Sequence, residues 1–224
     1  MYPSQRNSKG GVLWFGAMRA RTLSDLPGRC HQCWIRLEFC ICPHLPSVPT
    51  KTRVLLVRHE RESWKSTGTA RVAGLAMPNL QFVDFDDDPA GVNEKLPALD
   101  DAVLLFPSET PAPWPETPPS TLVVLDGTWR QTRRMFTKLP RLHHLRRVQL
   151  DTPAAPVLRL RDTSFEEGRS TLEAVAEALG RMEGDAVRDV LLGVHADFVE
   201  RVLKARGVWD QKREAFEKSA HRRS

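Results

Sequence analysis

Much that would assign this chain quickly is missing from its 224 residues. No stretch approaches the roughly 20 consecutive apolar residues of a membrane-spanning helix. There is no G-x-G-x-x-G after an apolar run and no G-x4-G-K-[ST], so neither the common dinucleotide fingerprint nor the common nucleotide-phosphate loop is available. No G-x-S-x-G elbow is present, and there is no internal repeat. Cysteine is scarce: four residues, all between positions 30 and 42. A short apolar stretch at 11–18 follows Lys9, and Ala17-Met18-Arg19-Ala20 imitates a cleavage site, but arginines follow at once, so it reads as a ragged extension.

Acids are scarce in one region only. Residues 127–161 hold nine Lys and Arg against one acid, Asp151, whereas residues 84–101 hold seven acids and one base, Lys95. The net charge is +5. A basic block points either to a polyanionic partner, nucleic acid first, or to a solvated basic face.

The cysteines stand as Cys30-x2-Cys33-x6-Cys40-x-Cys42. A C-x2-C knuckle supplies two soft ligands from one tight turn, and a tetrahedral Zn²⁺ needs four. Two disulfides are the alternative, but they imply an oxidising compartment that nothing else supports. Zinc is the preferred reading, in a cytoplasmic protein. With all four positions filled by protein, the metal would fix a small ribbon and perform no catalysis, and no thiol is left as a nucleophile.

The rest alternates apolar runs with helical patterns. Runs at 52–57, 80–85, 102–106 and 122–125 read as buried strands, with a fifth expected at 146–150. Successive runs end in polar groups: Arg58-His59-Glu60, then Pro107-Ser108-Glu109-Thr110, then Asp126-Gly127-Thr128-Trp129. Helices are expected after Ser66-Thr67-Gly68-Thr69-Ala70-Arg71, over 129–138, from Ser170-Thr171-Leu172-Glu173 onward, and over about 186–206. In the last of these, Val187, Val190, Leu191, Val194, Phe198 and Val202 form a core stripe. Residues 86–101 read mostly as loop, 111–119 as a rigid proline-rich connection, and 161–169 as a polar loop. The fold class is α/β with a mostly parallel sheet. The expected organisation is an N-terminal extension at 1–24, a zinc ribbon and linker at 25–49, a main domain at 50–206, and a basic, frayed tail at 207–224.

In open α/β sheets ligands collect at the carboxyl ends of the strands. Asp126 is therefore the leading candidate for chemistry there, as a general base or as a structural acid receiving turn N–H groups. Trp129 offers a stacking face or core packing. Thr128 with Gln131, and Ser170 with Glu173, have the spacing of capping boxes. Arg130, Arg133, Arg134 and Lys138 recur on one helical face and suit phosphates. Residues 66–69 could cradle an anion or simply cap a helix.

Asp126-Gly127-Thr128-Trp129 resembles the signature of the DTW-domain family. Its companions occur in the family's order: the cysteine cluster, Ser66-Thr67-Gly68-Thr69, Phe106-Pro107-Ser108-Glu109, and Ser170-Thr171-Leu172-Glu173-Ala174. The resemblance covers about residues 28–206, with Gly68 standing where the family pattern has Asn. It implies a SPOUT-like α/β fold with a C-terminal trefoil knot that holds S-adenosylmethionine. It also implies transfer of that molecule's 3-amino-3-carboxypropyl group to N3 of a tRNA uridine. Pro107, Ser108, Glu109, Asp126, Gly127, Thr128, Ser170, Thr171 and Glu173 would then surround the donor, Asp126 and Trp129 would act at the reaction centre, and the helix cations would hold tRNA. The alternatives are an RNA methyltransferase using the same pocket, and a zinc-ribbon RNA-binding protein without catalysis. Oligomeric state is open.

Overall fold

A computed structural model describes residues 27–65, 67–150, 157–160 and 168–221. Five parallel strands form one sheet in the order β2-β1-β4-β3-β5. They are β1 (Arg53–His59), β2 (Leu80–Phe85), β3 (Ala102–Leu105), β4 (Thr121–Asp126) and β5 (Arg146–Val148). The two central strands, β1 and β4, carry the unbroken apolar runs, because a strand covered on both faces needs no polar alternation.

The pleat sends alternate residues to two cores. Val54, Leu56, Leu122 and Val124 join one core with α2 (Thr69–Ala76), α5 (Thr171–Glu183) and α6 (Asp185–Ala205). Leu55, Val57, Val123 and Leu125 join the other, with Val92 of α3 (Pro89–Lys95) and Met135 of α4 (Trp129–Lys138). Cys33, Ile35 and Ile41 are buried in the first core, so the cysteine segment packs with α2 and α6 rather than standing apart from the main domain.

The chain leaves β1 toward β2 on one side and leaves β4 toward β5 on the other. The strand order therefore reverses between β1 and β4, and a crevice opens at their carboxyl ends. Arg58 and Asp126 face each other in register at that point.

Some expectations change. The acidic stretch holds α3: Asp88 accepts a hydrogen bond from the Gly91 N–H, and Pro89 follows at the first helical position, where its missing N–H is no loss. A short helix, α1 (Glu60–Ser63), follows β1 directly. Residues 209–221, expected to fray, form α7 (Trp209–His221), with Lys204 of α6 lying 5.9 Å from the Trp209 ring. Val190, placed in the core stripe of α6, is 44% exposed, because the heptad-like pattern there is wider than the face that α5 and α2 cover. Residues 111–119 form neither helix nor strand, as the prolines require. The polar loop expected at 161–169 lies largely at 161–167, outside the described residues, as do residues 151–156. No helix among the described residues is long and apolar enough to cross a membrane.

α5 is held from inside by an ionic group. Glu173 is 1% exposed, and Arg159 donates to it through Nη2 at 2.6 Å and through Nε at 3.1 Å. The Ser170 N–H donates to the same carboxylate at 2.8 Å, and His195 Nε2 of α6 stands 3.5 Å away. Burial acts to raise the Glu173 carboxyl, but the Arg159 hydrogen bonds, His195 and the Ser170 N–H outweigh it and hold it below its usual range. Burial likewise keeps His195 neutral, lowering its pKa. Both shifts make the folded protein bind fewer protons than the unfolded chain in acid. Stability should therefore fall as pH drops below the ordinary histidine value of about 6.5, and again as Glu173 takes its proton. Glu173→Gln, which removes the carboxylate charge that Arg159, His195 and the Ser170 N–H share, is expected to cost about 1–3 kcal/mol. It should also remove the lower drop, at Glu173, from a plot of Tm against pH while the drop tied to His195 remains.

Candidate functional site

Three separate turns meet at the carboxyl edge. β4 ends at Asp126, and Gly127-Thr128 turns the chain into α4. Thr128 accepts from the Gln131 N–H while the Gln131 side chain accepts from the Thr128 N–H at 2.7 Å, a complete capping box. A Cβ at Gly127 would stand 3.1 Å from Gln131 Cβ and Oε1, so a side chain there would press on the residue that completes the capping box. Ser170 caps α5 in the same reciprocal way with Glu173. Thr171, the first residue of α5, donates its hydroxyl to Asp126 Oδ1. The next N–H, of Leu172, donates to Thr69 Oγ1 at the start of α2, at 3.3 Å. The motifs around residues 69, 126 and 171 are thus one hydrogen-bonded cluster.

Asp126 keeps part of its surface in solvent while its carboxyl is largely enclosed. That enclosure raises its pKa above the ordinary range; the Thr171 hydrogen bond opposes the rise, Glu62 adds to it, and Arg58 and Lys65 oppose it. A carboxylate in this position is a stronger proton acceptor than a solvated one.

Beside this cluster, on the β3 and β5 side of β4, lies an open cleft of about 850 Å³. Phe106, Pro107, Gly127, Trp129, Ser170 and Thr171 line it. Its size falls within the roughly 300–1,000 Å³ usual for small-molecule pockets. Trp129 is 51% exposed, which removes core packing as its role.

The residues expected around a donor divide into groups. Pro107, Gly127, Ser170 and Thr171 lie on the cleft wall. Ser108 adjoins it, with its N–H held by Gln149 Oε1 at 3.3 Å. Thr128 is spent on capping, and Glu109 is exposed and not on the wall. Glu173 is sealed behind α5 in its ionic group. Asp126 reaches the wall through Thr171. Arg130, Arg133, Arg134 and Lys138 all lie exposed on α4, and none is in an ion pair among the described residues. Ser66 lies outside the described residues.

Two groups near Asp126 were not singled out from the sequence. Arg58 is buried, its guanidinium 4.5 Å from the Phe82 ring centroid and its Nε 2.8 Å from Asp84 Oδ1. The signal was available, since both arginine and aspartate stand at strand ends in neighbouring strands. Thr69 was visible only as one member of a turn motif.

At the other end of the first core the four cysteines converge. Their sulfurs all lie within 4.8 Å of one another, with Cys30–Cys42 at 3.7 Å and Cys33–Cys40 at 3.8 Å. A disulfide needs about 2.05 Å, whereas four thiolates around a tetrahedral zinc ion stand about 3.8 Å apart. Trp34 closes the knuckle with φ at 64°. Burial acts to raise the Cys30 thiol, but the backbone N–H groups of Cys33 and Gln32 outweigh it and bring it down to about 7. Amides aimed at that sulfur favour the thiolate, which is the form a metal binds.

The family model for the DTW domain matches residues 28–203. The chain belongs to the DTW domain family. A Drosophila melanogaster protein named tRNA-uridine aminocarboxypropyltransferase 2 is 29% identical, over 71% of this chain and 70% of the relative. Proteins of the same name from Macaca fascicularis and Mus musculus are 27% and 25% identical over 73% of this chain. The chain spans 59% of the length of those two. No solved structure gives a significant match.

Thr171→Val removes the one hydroxyl that lowers the Asp126 pKa. The expected result is a further rise in the Asp126 titration, read by carboxyl-carbon NMR; a fall would show that the hydroxyl acts as acceptor.

Proposed function

We propose that this protein transfers the 3-amino-3-carboxypropyl group of S-adenosylmethionine to N3 of a uridine in tRNA. The observation that carries the reading is the hydrogen bond from Thr171 to Asp126, which places a carboxylate of raised pKa beside a ligand-sized cleft at the sheet's switch point. The names of the relatives support the substrate and the reaction. The bound sulfonium supplies an activated carbon, so the N–C bond forms as the C–S bond breaks and methylthioadenosine leaves. The protein's part is alignment and proton removal. Asp126 takes the proton from N3. Trp129 and Phe106 offer flat or apolar surface to adenine or uracil. The exposed cations of α4 hold tRNA phosphates. A SPOUT-like knot near the C-terminus belongs to the same proposal.

The test is product analysis of tRNA incubated with donor labelled separately in its methyl and carboxypropyl carbons. Label in RNA from the carboxypropyl carbon supports the reading; label from the methyl carbon alone would make the protein a methyltransferase. Asp126→Asn keeps an acceptor for Thr171 and removes a desolvated charge. We expect transfer to fall by about 10²–10⁴-fold with Tm unchanged or higher; wild-type turnover would remove Asp126 as the base.

The four cysteines hold a structural zinc ion in this reading. Purified protein is expected to carry close to one equivalent. Less than about half an equivalent together with free thiols would refute the site.

A further inference from the structure

Arg71, in the first turn of α2, belongs neither to the cleft nor to the proposed base. Its guanidinium lies flat on the Trp34 ring, 3.2 Å from the centroid. One amino group donates to the Ser63 carbonyl at 2.6 Å, while Nε is enclosed with no partner among the described residues. Arg71 forms no ion pair among the described residues. Asp84 is the carboxylate whose charge reaches it, and Asp84 is already joined to Arg58. The other anionic group whose charge reaches Arg71 is the Cys33 thiolate, so what faces Arg71 is charge at a distance rather than a contacting carboxylate. Burial, followed by the nearby Arg58, brings the Arg71 pKa down to about 10, which still leaves it a cation at neutral pH.

Trp64 follows Ser63 directly, and its side chain is 43% exposed. It stands in the loop that leaves β1 at the switch point. An exposed indole one residue along from the carbonyl that a guanidinium holds, with no carboxylate in contact with that guanidinium, suits nucleic acid, with bases on flat rings and phosphates on cations. Neither residue lines the cleft, which opens on the other side of β4.

We infer that Trp64 and Arg71 form a nucleotide subsite on the β1 side of Asp126, where an RNA base stacks on the indole and a backbone phosphate pairs with the guanidinium. This rests on the reading of tRNA as substrate and extends it. The donor enters from the β3 and β5 side, the RNA strand from the β1 side, and Asp126 stands between them. Trp34 sets the plane of Arg71, so the cysteine knuckle contributes to RNA binding through that stack.

The experiment titrates the full chain with an unmodified tRNA transcript, without donor, over a series of salt concentrations. Arg71→Gln should weaken binding and reduce the slope of log K against log salt by about 0.7–0.9, the loss of one phosphate contact. Trp64→Leu should lower affinity roughly five-fold or more with the slope unchanged, since stacking releases no counterions. Trp64 lies on the surface, so its variant decides the matter if Arg71→Gln fails to fold. Wild-type affinity and slope in the variants would overturn the inference. So would weaker S-adenosylmethionine binding with tRNA binding intact, which would make Arg71 a holder of the donor carboxylate. Loss of bound zinc from Arg71→Gln with an unaltered slope would overturn it as well, making Arg71 a counter-charge to the thiolates. No transfer is measured, so the two readings fail separately. A protein that binds tRNA in this way but transfers nothing would sink the transferase proposal and keep the subsite.

Discussion

The hydrogen bond between Thr171 and Asp126 joins parts of the chain 45 residues apart, and the working edge of the molecule depends on it. Asp126 ends the central strand β4, and Thr171 begins the helix that covers one sheet face. A capping box on each side fixes the two turns, so the bond is made between rigid pieces. The Leu172 N–H then reaches Thr69, which ties α2 to the same point. Behind α5, the Arg159–Glu173–His195 group ties the helix to α6 and to the segment before it. The cost is a buried charge set, which is sound only while every partner is present.

The parallel sheet explains why this cluster sits where ligands can reach it. Five parallel strands send all their carboxyl ends to one edge, and the reversal of strand order between β1 and β4 opens a crevice there. On one side are the cleft and α5. On the other are Arg58, Arg71 and the loop bearing Trp64. The cysteine knuckle lies on that second side, and its Trp34 stacks on Arg71. A cysteine segment that sequence alone presents as an appendage is thus packed into the same core as α2, α5 and α6.

The strands and most helices were legible because their signals are local. Residues 122–125 are apolar on both faces, as a central parallel strand must be, and Thr128-x-x-Gln131 marks where α4 begins. The helix α3 was hidden because the seven acids around it read as solvated loop, although Asp88-Pro89 is a helix start. α7 was hidden because its residues are mostly charged and its contacts come from α6. Val190 fits the helical period of its neighbours, yet which part of a wide apolar stripe is covered depends on the partner helices.

By itself, the sequence determined the α/β class, the cysteine cluster, the capped turns and the family, since each of these depends on neighbours a few residues apart. It also brought Asp126 forward, because an acid after a buried strand is a local event. Only the tertiary structure decided that Glu173 is sealed in an ionic group while Trp129 is open, that Thr171 holds Asp126, and that Arg71 stacks on Trp34. Those outcomes depend on how elements distant in sequence pack, and burial, which sets both pKa and access, exists only once they have packed.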